Sequence, residues 1–309
     1  YHPFAVSGTS GRSPISPFPA RALTTHQVRQ TIDDFVRASS LARKAGYDGV
    51  EIMGSEGYLI SQFLSPRTNS KRTDQYGGVS FDNRSRFPLE IVREVRRSLG
   101  PDFMIIFRIS LWELVDNGMS WEETLVLANE LRIAGVTLLN TGIGWHESRV
   151  PTIASNVPRG AFVKPTNQLK LDLHEMMLQQ EQQHGQETKP PIPPIVSTNR
   201  INAPETAELI LQDGTSDLIS MARPLLADPD WIKKSMARAP EKINTCIACN
   251  QACLDHAFVG KTASCLVNPS ACHETELDLS VIPGDENVNC KVVPQEQRLN
   301  LGVVGGGPA

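Results

Sequence analysis

The sequence predicts an α/β fold on a parallel sheet, an incomplete (β/α)8 TIM barrel, and three observations carry that reading. Short, continuous apolar runs alternate with stretches of helical period, the pattern of strands covered on both faces and joined by helices. Five such strands are countable, where a closed barrel needs eight and typically about 250 residues. Polar or charged residues follow nearly every run, at Glu56, Arg108, His146, Asn199 and Arg223. Function gathered at the carboxyl ends of many strands favours the barrel over its competitor, a doubly wound open sheet.

Taken in order, the segment up to Leu23 is rich in Ser, Pro and Gly with no sustained period and reads as a long surface loop. Thr31 to Ala45 places Ile32, Phe35, Val36, Leu41 and Ala42 at helical spacing. Gly46 breaks the pattern, and Gly49 to Met53 follows as a buried strand. The alternation recurs with Arg84 to Leu99 as helix and Met104 to Ile109 as strand, then Trp121 to Ala134 as helix and Val136 to Thr141 as strand. Pro193 to Thr198 and Asp217 to Met221 give two more strands, with Glu205 to Gln212 as the helix between them. Leu173 to Pro194, with Gln179, Gln180, Gln182 and Gln183 before four prolines, reads as a solvated insertion with a stiff exit. Leu299 to Ala309 reads as a strand entering a Gly-rich turn.

Composition narrows the function. The 309 residues are 40% hydrophobic and 21% charged, with a formal net charge of −4. Neither Lys nor Arg forms a long run, so no field built for nucleic acid or anionic lipid is visible, and a small molecule is the expected partner. No stretch approaches the roughly 18 apolar residues of a membrane span, and the start at Tyr1 lacks both Met and a signal-peptide layout. No membrane association is expected. Of six cysteines, five lie between Cys246 and Cys272, with Cys290 beyond. Such clustering favours metal ligation in a reducing compartment, and hence a cytoplasmic location.

Cys246-x-x-Cys249-x-x-x-Cys253, with Cys265 further on, puts three thiols on one tight loop and a fourth within reach. Four thiolates suit a 4Fe-4S cubane or a zinc ion. Three close cysteines and one distant favour the cluster, since zinc sites usually pair two close couples. Cys272 and Cys290 have no matching spacing and read as bystanders.

A longer pattern then carries a resemblance. Gly54-Ser55-Glu56-Gly57-Tyr58-Leu59-Ile60, continuing through Phe63 to Asn69, Arg72, Asp74, Tyr76-Gly77-Gly78 and Asn83-Arg84-x-Arg86, resembles the signature after the fourth strand of old yellow enzyme type flavoprotein barrels. Phe107 to Ser110 resembles that family's fifth strand, Ser197 to Arg200 its seventh, and Ser220 to Pro224 its eighth. Asn140 to Arg149, together with the cysteine spacing, looks like the bacterial-type 2,4-dienoyl-CoA reductases.

The resemblance implies a division into a partial FMN-binding barrel over 1–235, an iron–sulfur segment and linker over 236–298, and the start of an FAD- and NAD(P)-binding domain over 299–309. It implies a chain that begins after the third barrel strand and ends as that last domain opens. It further implies electrons from NADPH passing through FAD and a 4Fe-4S cluster to FMN, for reduction of a 2,4-dienoyl-CoA in unsaturated fatty acid β-oxidation.

Tyr58 matches the family's proton donor, and His146 occupies the position that supports it. Arg108 would face the flavin pyrimidine edge, and Arg200 with Ala222 and Arg223 would grip the FMN phosphate. Arg67 and the run His146, Glu147, Ser148 and Arg149 are the expected acyl-CoA contacts. Cys246, Cys249, Cys253 and Cys265 would hold the cluster. Gly305 and Gly307 resemble the opening of a dinucleotide fingerprint. Relatives that act on other enoates or on amines, and an inactive fragment that only binds metal, are the alternatives. Oligomeric state is not legible.

Overall fold

The computed structural model describes residues 5–13, 18–184 and 190–277. The expectations for Cys290, for the strand opening at Leu299 and for Gly305 and Gly307 lie outside those residues. Contacts divide the chain into two compact units. The first is Tyr1–Ile153, Val157–Ile201 and Glu205–Ser220; the second is Ala154–Asn156, Asn202–Pro204 and the chain from Met221 onward.

The first unit opens with β1 (Val6–Ser7) and β2 (Arg21–Ala22), which pair in parallel inside what the sequence suggests is only loop. Arg72 holds this segment, donating to the carbonyls of Gly8 and Leu23, each at 2.7 Å, while its other nitrogens meet Asp74. Burial pushes the Asp74 carboxyl up, but hydrogen bonds from Arg72, Thr25 and the Tyr76 amide outweigh it and bring the group down to about 2.

Helix α1 (Thr25–Lys44) begins ahead of the predicted Thr31, because Thr24 and Gln27 form a reciprocal capping box that satisfies two free N–H groups. The next elements are β3 (Gly49–Gly54), α2 (Leu59–Leu64), α3 (Pro66–Asn69) and α4 (Phe81–Leu99). β4 (Met104–Trp112) runs past the predicted Ile109 and bulges between Ser110 and Trp112. Helix α5 (Trp121–Ala134) has the predicted bounds. Ser120 and Glu123 cap its start, and Gly135 ends it in the left-handed region. β5 (Leu138–Ile143) is followed by α6 (Val163–His184), so the glutamines expected in a solvated insertion lie on a helix. β6 (Ile195–Ser197), α7 (Pro204–Gln212) and β7 (Leu218–Ile219) complete the alternation.

The strands form one parallel sheet in the order β3-β4-β5-β6-β7, open at both edges among the described residues. Alternate side chains take opposite faces. On β4, Ile105, Phe107, Ile109 and Leu111 are buried in the core with Val28 and Ile32 of α1, Ile91, Val92 and Val95 of α4, and Leu127 and Leu131 of α5. The other face sets a polar group among apolar neighbours such as Ile106 and Leu138. Arg108 stands opposite Met53 on β3 and Asn140 on β5, and the Asn140 amide donates to Glu51 Oε2 at 2.7 Å.

Arg84 ties α4 to its neighbours from inside the core, with a side chain only 2% exposed. It donates to the Leu64 carbonyl and pairs with Glu123 on α5. Arg84→Leu strands Glu123 and that carbonyl together. It is expected to cost about 3 kcal/mol, read as a lower midpoint in urea unfolding.

The second unit contains α8 (Arg223–Ala227), α9 (Trp231–Met236) and α10 (Leu254–Phe258), the last separated from α9 by a long connection. Asp228 is its buried anchor, accepting from Lys234 Nζ at 2.6 Å and from the Asn244 amide at 2.8 Å.

Candidate active site and cysteine cavity

The loops after β3 and β5 meet through a backbone bridge between Glu56 and Trp145, with the His146 amide donating to the Glu56 carbonyl at 3.1 Å. Glu56 takes a positive φ of 62° there, and its amide donates to Ser110 Oγ on β4 at 2.9 Å. Gly57 follows at φ 86°. A Cβ on it would stand 2.5 Å from Trp145 Nε1, so this close approach requires glycine. These constraints aim Tyr58, at the start of α2, toward His146.

The two rings meet edge to face, with centroids 5.4 Å apart. Tyr58 is 52% exposed, and its hydroxyl has no hydrogen-bond partner among the described residues. The structure therefore brings the expected pair together, but His146 spends its hydrogen bond elsewhere, with Nε2 lying 3.1 Å from the Gly57 carbonyl. A carbonyl accepts, so Nε2 carries the proton. Burial holds the imidazole below its ordinary pKa, against Glu147, the Gly57 carbonyl and Glu56, which raise it. A neutral ring protonated on Nε2 leaves Nδ1 as a bare acceptor, and that atom is buried without a partner.

Arg108 is expected at a strand end but stands inside β4. It pairs with Glu56 at 2.8 Å, while its buried Nε has no partner. Asn140 Oδ1 on the same face is likewise unpartnered, as are Ser197 Oγ on β6 and Asn199 Oδ1 just beyond it. Sequence reasoning marks Glu56 as a polar residue after a strand and a member of the signature; its ion pair with Arg108 is the missing signal.

The expected acyl-CoA contacts converge, but largely on one another. Arg67 pairs with Glu147 at 3.7 Å and donates to the Asp116 carbonyl at 3.1 Å. Ser13 donates to Glu147 Oε1 at 2.6 Å, and Ser148 to the Leu114 carbonyl at 2.9 Å. Arg149 is exposed.

Arg200 lies in the first unit at φ 58°, its Nε donating to the Val157 carbonyl at 2.8 Å. Ala222 and Arg223 lie in the second, where Ala222 precedes α8 and Arg223 donates to Asn250 Oδ1.

Within the second unit Cys246, Cys249, Cys253 and Cys265 line one cavity, with Leu226, Ile247, Leu266 and Val267 as its apolar wall. Arg223 also lines it, a neighbour that the sequence does not suggest. All four thiols are free, and Asn202 fixes the loop by donating to the Cys246 carbonyl at 2.7 Å. Burial raises the Cys265 pKa, and Cys246 and Cys249 close by raise it further, while the amides of Val267 and Asn268 lower it. Among the described residues, no three His, Cys, Asp or Glu side chains close around a single ion. Tetrahedral zinc would need sulfurs about 3.8 Å apart, from Zn–S bonds of about 2.3 Å.

Comparison with known proteins gives the context. The metal reductase of Desulforamulus reducens is 38% identical over 99% of this chain and 42% of its own length. Among solved structures, a 2-naphthoyl-CoA reductase in complex with 2-naphthoyl-CoA has a TM-score of 0.78 at 32% identity, over 89% of this chain and 39% of that one. The old yellow enzyme homologue from Zymomonas mobilis has a TM-score of 0.55 at 25% identity, over 77% and 61%. The chain spans about two-fifths of the length of curated relatives such as the metal reductase. No helix among the described residues is long and apolar enough to cross a membrane. Residues 3–241 match the NADH:flavin oxidoreductase / NADH oxidase family. The chain therefore belongs to this family of flavin-dependent, old yellow enzyme-like oxidoreductases.

Proposed function

We propose that this chain is the flavin- and cluster-bearing part of an NADPH-dependent reductase of conjugated acyl-CoA thioesters, of the 2,4-dienoyl-CoA reductase kind. The observation that carries the reading is Tyr58 held against His146 by the bridged loops after β3 and β5. The residues fit FMN: Arg108 Nε is an unused donor, and Asn140 Oδ1 and Asn199 Oδ1 are unused acceptors, the mixture that the edge of a flavin ring requires. Four free thiols on one apolar cavity likewise fit a 4Fe-4S cluster.

Bound FMN would supply hydride to the conjugated acceptor. The dienolate so formed needs a proton, and the Tyr58 hydroxyl, free of internal hydrogen bonds, would deliver it. The tyrosinate left behind sits beside a neutral imidazole, so regaining its proton falls to solvent at this half-exposed site. Arg108 would place a fixed positive charge where reduction builds negative charge, balanced at rest by Glu56. Arg200 would serve the FMN phosphate. Arg149, exposed at the rim, would meet acyl-CoA phosphates, and Arg67 would join it on release from Glu147. Cys246, Cys249, Cys253 and Cys265 would hold the electron relay. FAD and NADPH would be served by the dinucleotide fingerprint that Gly305 and Gly307 open. The family's amine-oxidising members are the second reading, and a phenol placed to donate a proton favours enoyl reduction over it.

The anaerobically prepared protein is expected to show flavin and iron–sulfur absorbance and to oxidise NADPH on addition of a 2,4-dienoyl-CoA. Flavin reduced by an amine, with no response to the thioester, would overturn the reading.

A further inference from the structure

One buried acid near the rim is unused by this chemistry. Glu113 directly follows β4 and is 4% exposed. Its Oε2 accepts from Ser65 Oγ at 2.7 Å and from the Met119 amide at 2.8 Å. Ser65, fully buried, is the joint between α2 and α3, so the helix that starts after Tyr58 ends on it. Met119 closes the 113–119 loop, whose Leu114 and Asp116 carbonyls hold Ser148 and Arg67. That loop turns through Leu114 and Asn117 at φ 55° and 56°; asparagine takes this conformation readily, whereas leucine holds it only when its surroundings enforce it. A Cβ on Gly118 would stand 2.8 Å from Glu113 Oε2, so the carboxyl occupies the space that a side chain there would need. Leucine would fill this volume without the cost of desolvating an acid. Two donors converging on one oxygen point to a link rather than to packing.

We infer that Glu113 is a positioning residue: through Ser65 and Met119 it locks the loops after β3, β4 and β5 together, and so sets how Tyr58 meets His146. Burial lifts its carboxyl to about 7, against the hydrogen bonds from Ser65 and Met119 and the charge of Arg84 on α4, while Glu123 on α5 pushes it further up. The fold holds this proton more tightly than the unfolded chain does, so native stability falls as pH rises from the ordinary value of 4.5 toward about 7. The loss comes from desolvating the carboxylate, whereas the two hydrogen bonds from Ser65 and Met119 favour the ionised form and are the stronger above that pH.

The test uses the flavin-loaded protein with Glu113→Gln, Glu113→Ala and Ser65→Ala. Fluorescence of the adjacent Trp112, isolated by subtracting a Trp112→Phe reference, needs no substrate. It is expected to titrate near pH 7 in the wild type, to stay flat in Glu113→Gln, and to titrate at higher pH in Ser65→Ala, which has lost a donor. Glu113→Ala is expected to lower kcat for the thioester about tenfold at unchanged flavin content, with Gln restoring most of it. A Glu113→Gln protein that still titrates, an unmoved Ser65→Ala midpoint, or wild-type turnover in Glu113→Ala would each overturn the inference. It rests on the proposed reaction only in its kinetic arm. If the wild type itself fails to reduce thioesters, that reaction falls while the fluorescence titrations still decide the lock, and they decide it also if Glu113→Ala does not fold.

Discussion

Tyr58→Phe in the flavin-loaded protein is expected to lower turnover with a conjugated acyl-CoA by about a hundredfold or more, with flavin content and reduction by NADPH kept. The ring is half exposed and its hydroxyl has no internal partner among the described residues, so phenylalanine removes a proton without opening a cavity or orphaning a buried group. Stability is expected to change by less than about 0.5 kcal/mol. A structural role for Tyr58 predicts the reverse: intact chemistry per folded molecule and a lower unfolding midpoint. Following the two half-reactions separately by flavin absorbance distinguishes these outcomes. Unchanged reoxidation of the reduced flavin by the thioester would remove Tyr58 as proton donor.

Cys249→Ser is expected to abolish the iron content of anaerobically prepared protein and, with it, electron transfer from NADPH to the flavin of the barrel. Cys249 shares its cavity with Cys246, Cys253 and Cys265, and a serine oxygen is a poor substitute for a thiolate on a soft metal centre. Cys272, the exposed thiol nearby, supplies the control. Cys272→Ser is expected to leave the iron count intact. A full iron complement in Cys249→Ser would end the assignment of that ligand, and stoichiometric zinc in the wild type would end the electron relay.

The legibility of the fold comes from local physics. Trp121 to Ala134 is readable to the residue because a capping box and a C-terminal glycine bound it. The start of α1 is not, because the box at Thr24 lies ahead of the first clear apolar period. The glutamines of α6 mislead more seriously. Their polarity argues for a solvated insertion, yet glutamine is a good helix former, and one face of α6 is anchored by Leu169 and Leu173, both fully buried. At the site, Tyr58 and His146 are legible as motif members but their geometry is not. The hydrogen bond of His146 to Gly57 depends on a bridge between residues 89 positions apart.

The alternation of strand and helix, the polar residues after nearly every strand and the grouping of four thiols were all determined by the amino-acid sequence, since each follows from spacing over a few residues. Only the tertiary structure decided which partner each charge takes: Arg108 with Glu56, Arg67 with Glu147, Arg223 beside the cysteine cavity, and Glu113 beneath the rim. The reason is physical. Backbone periodicity is a local property, whereas a pairing or a shifted pKa depends on burial and on groups delivered from distant segments, which no window of sequence contains.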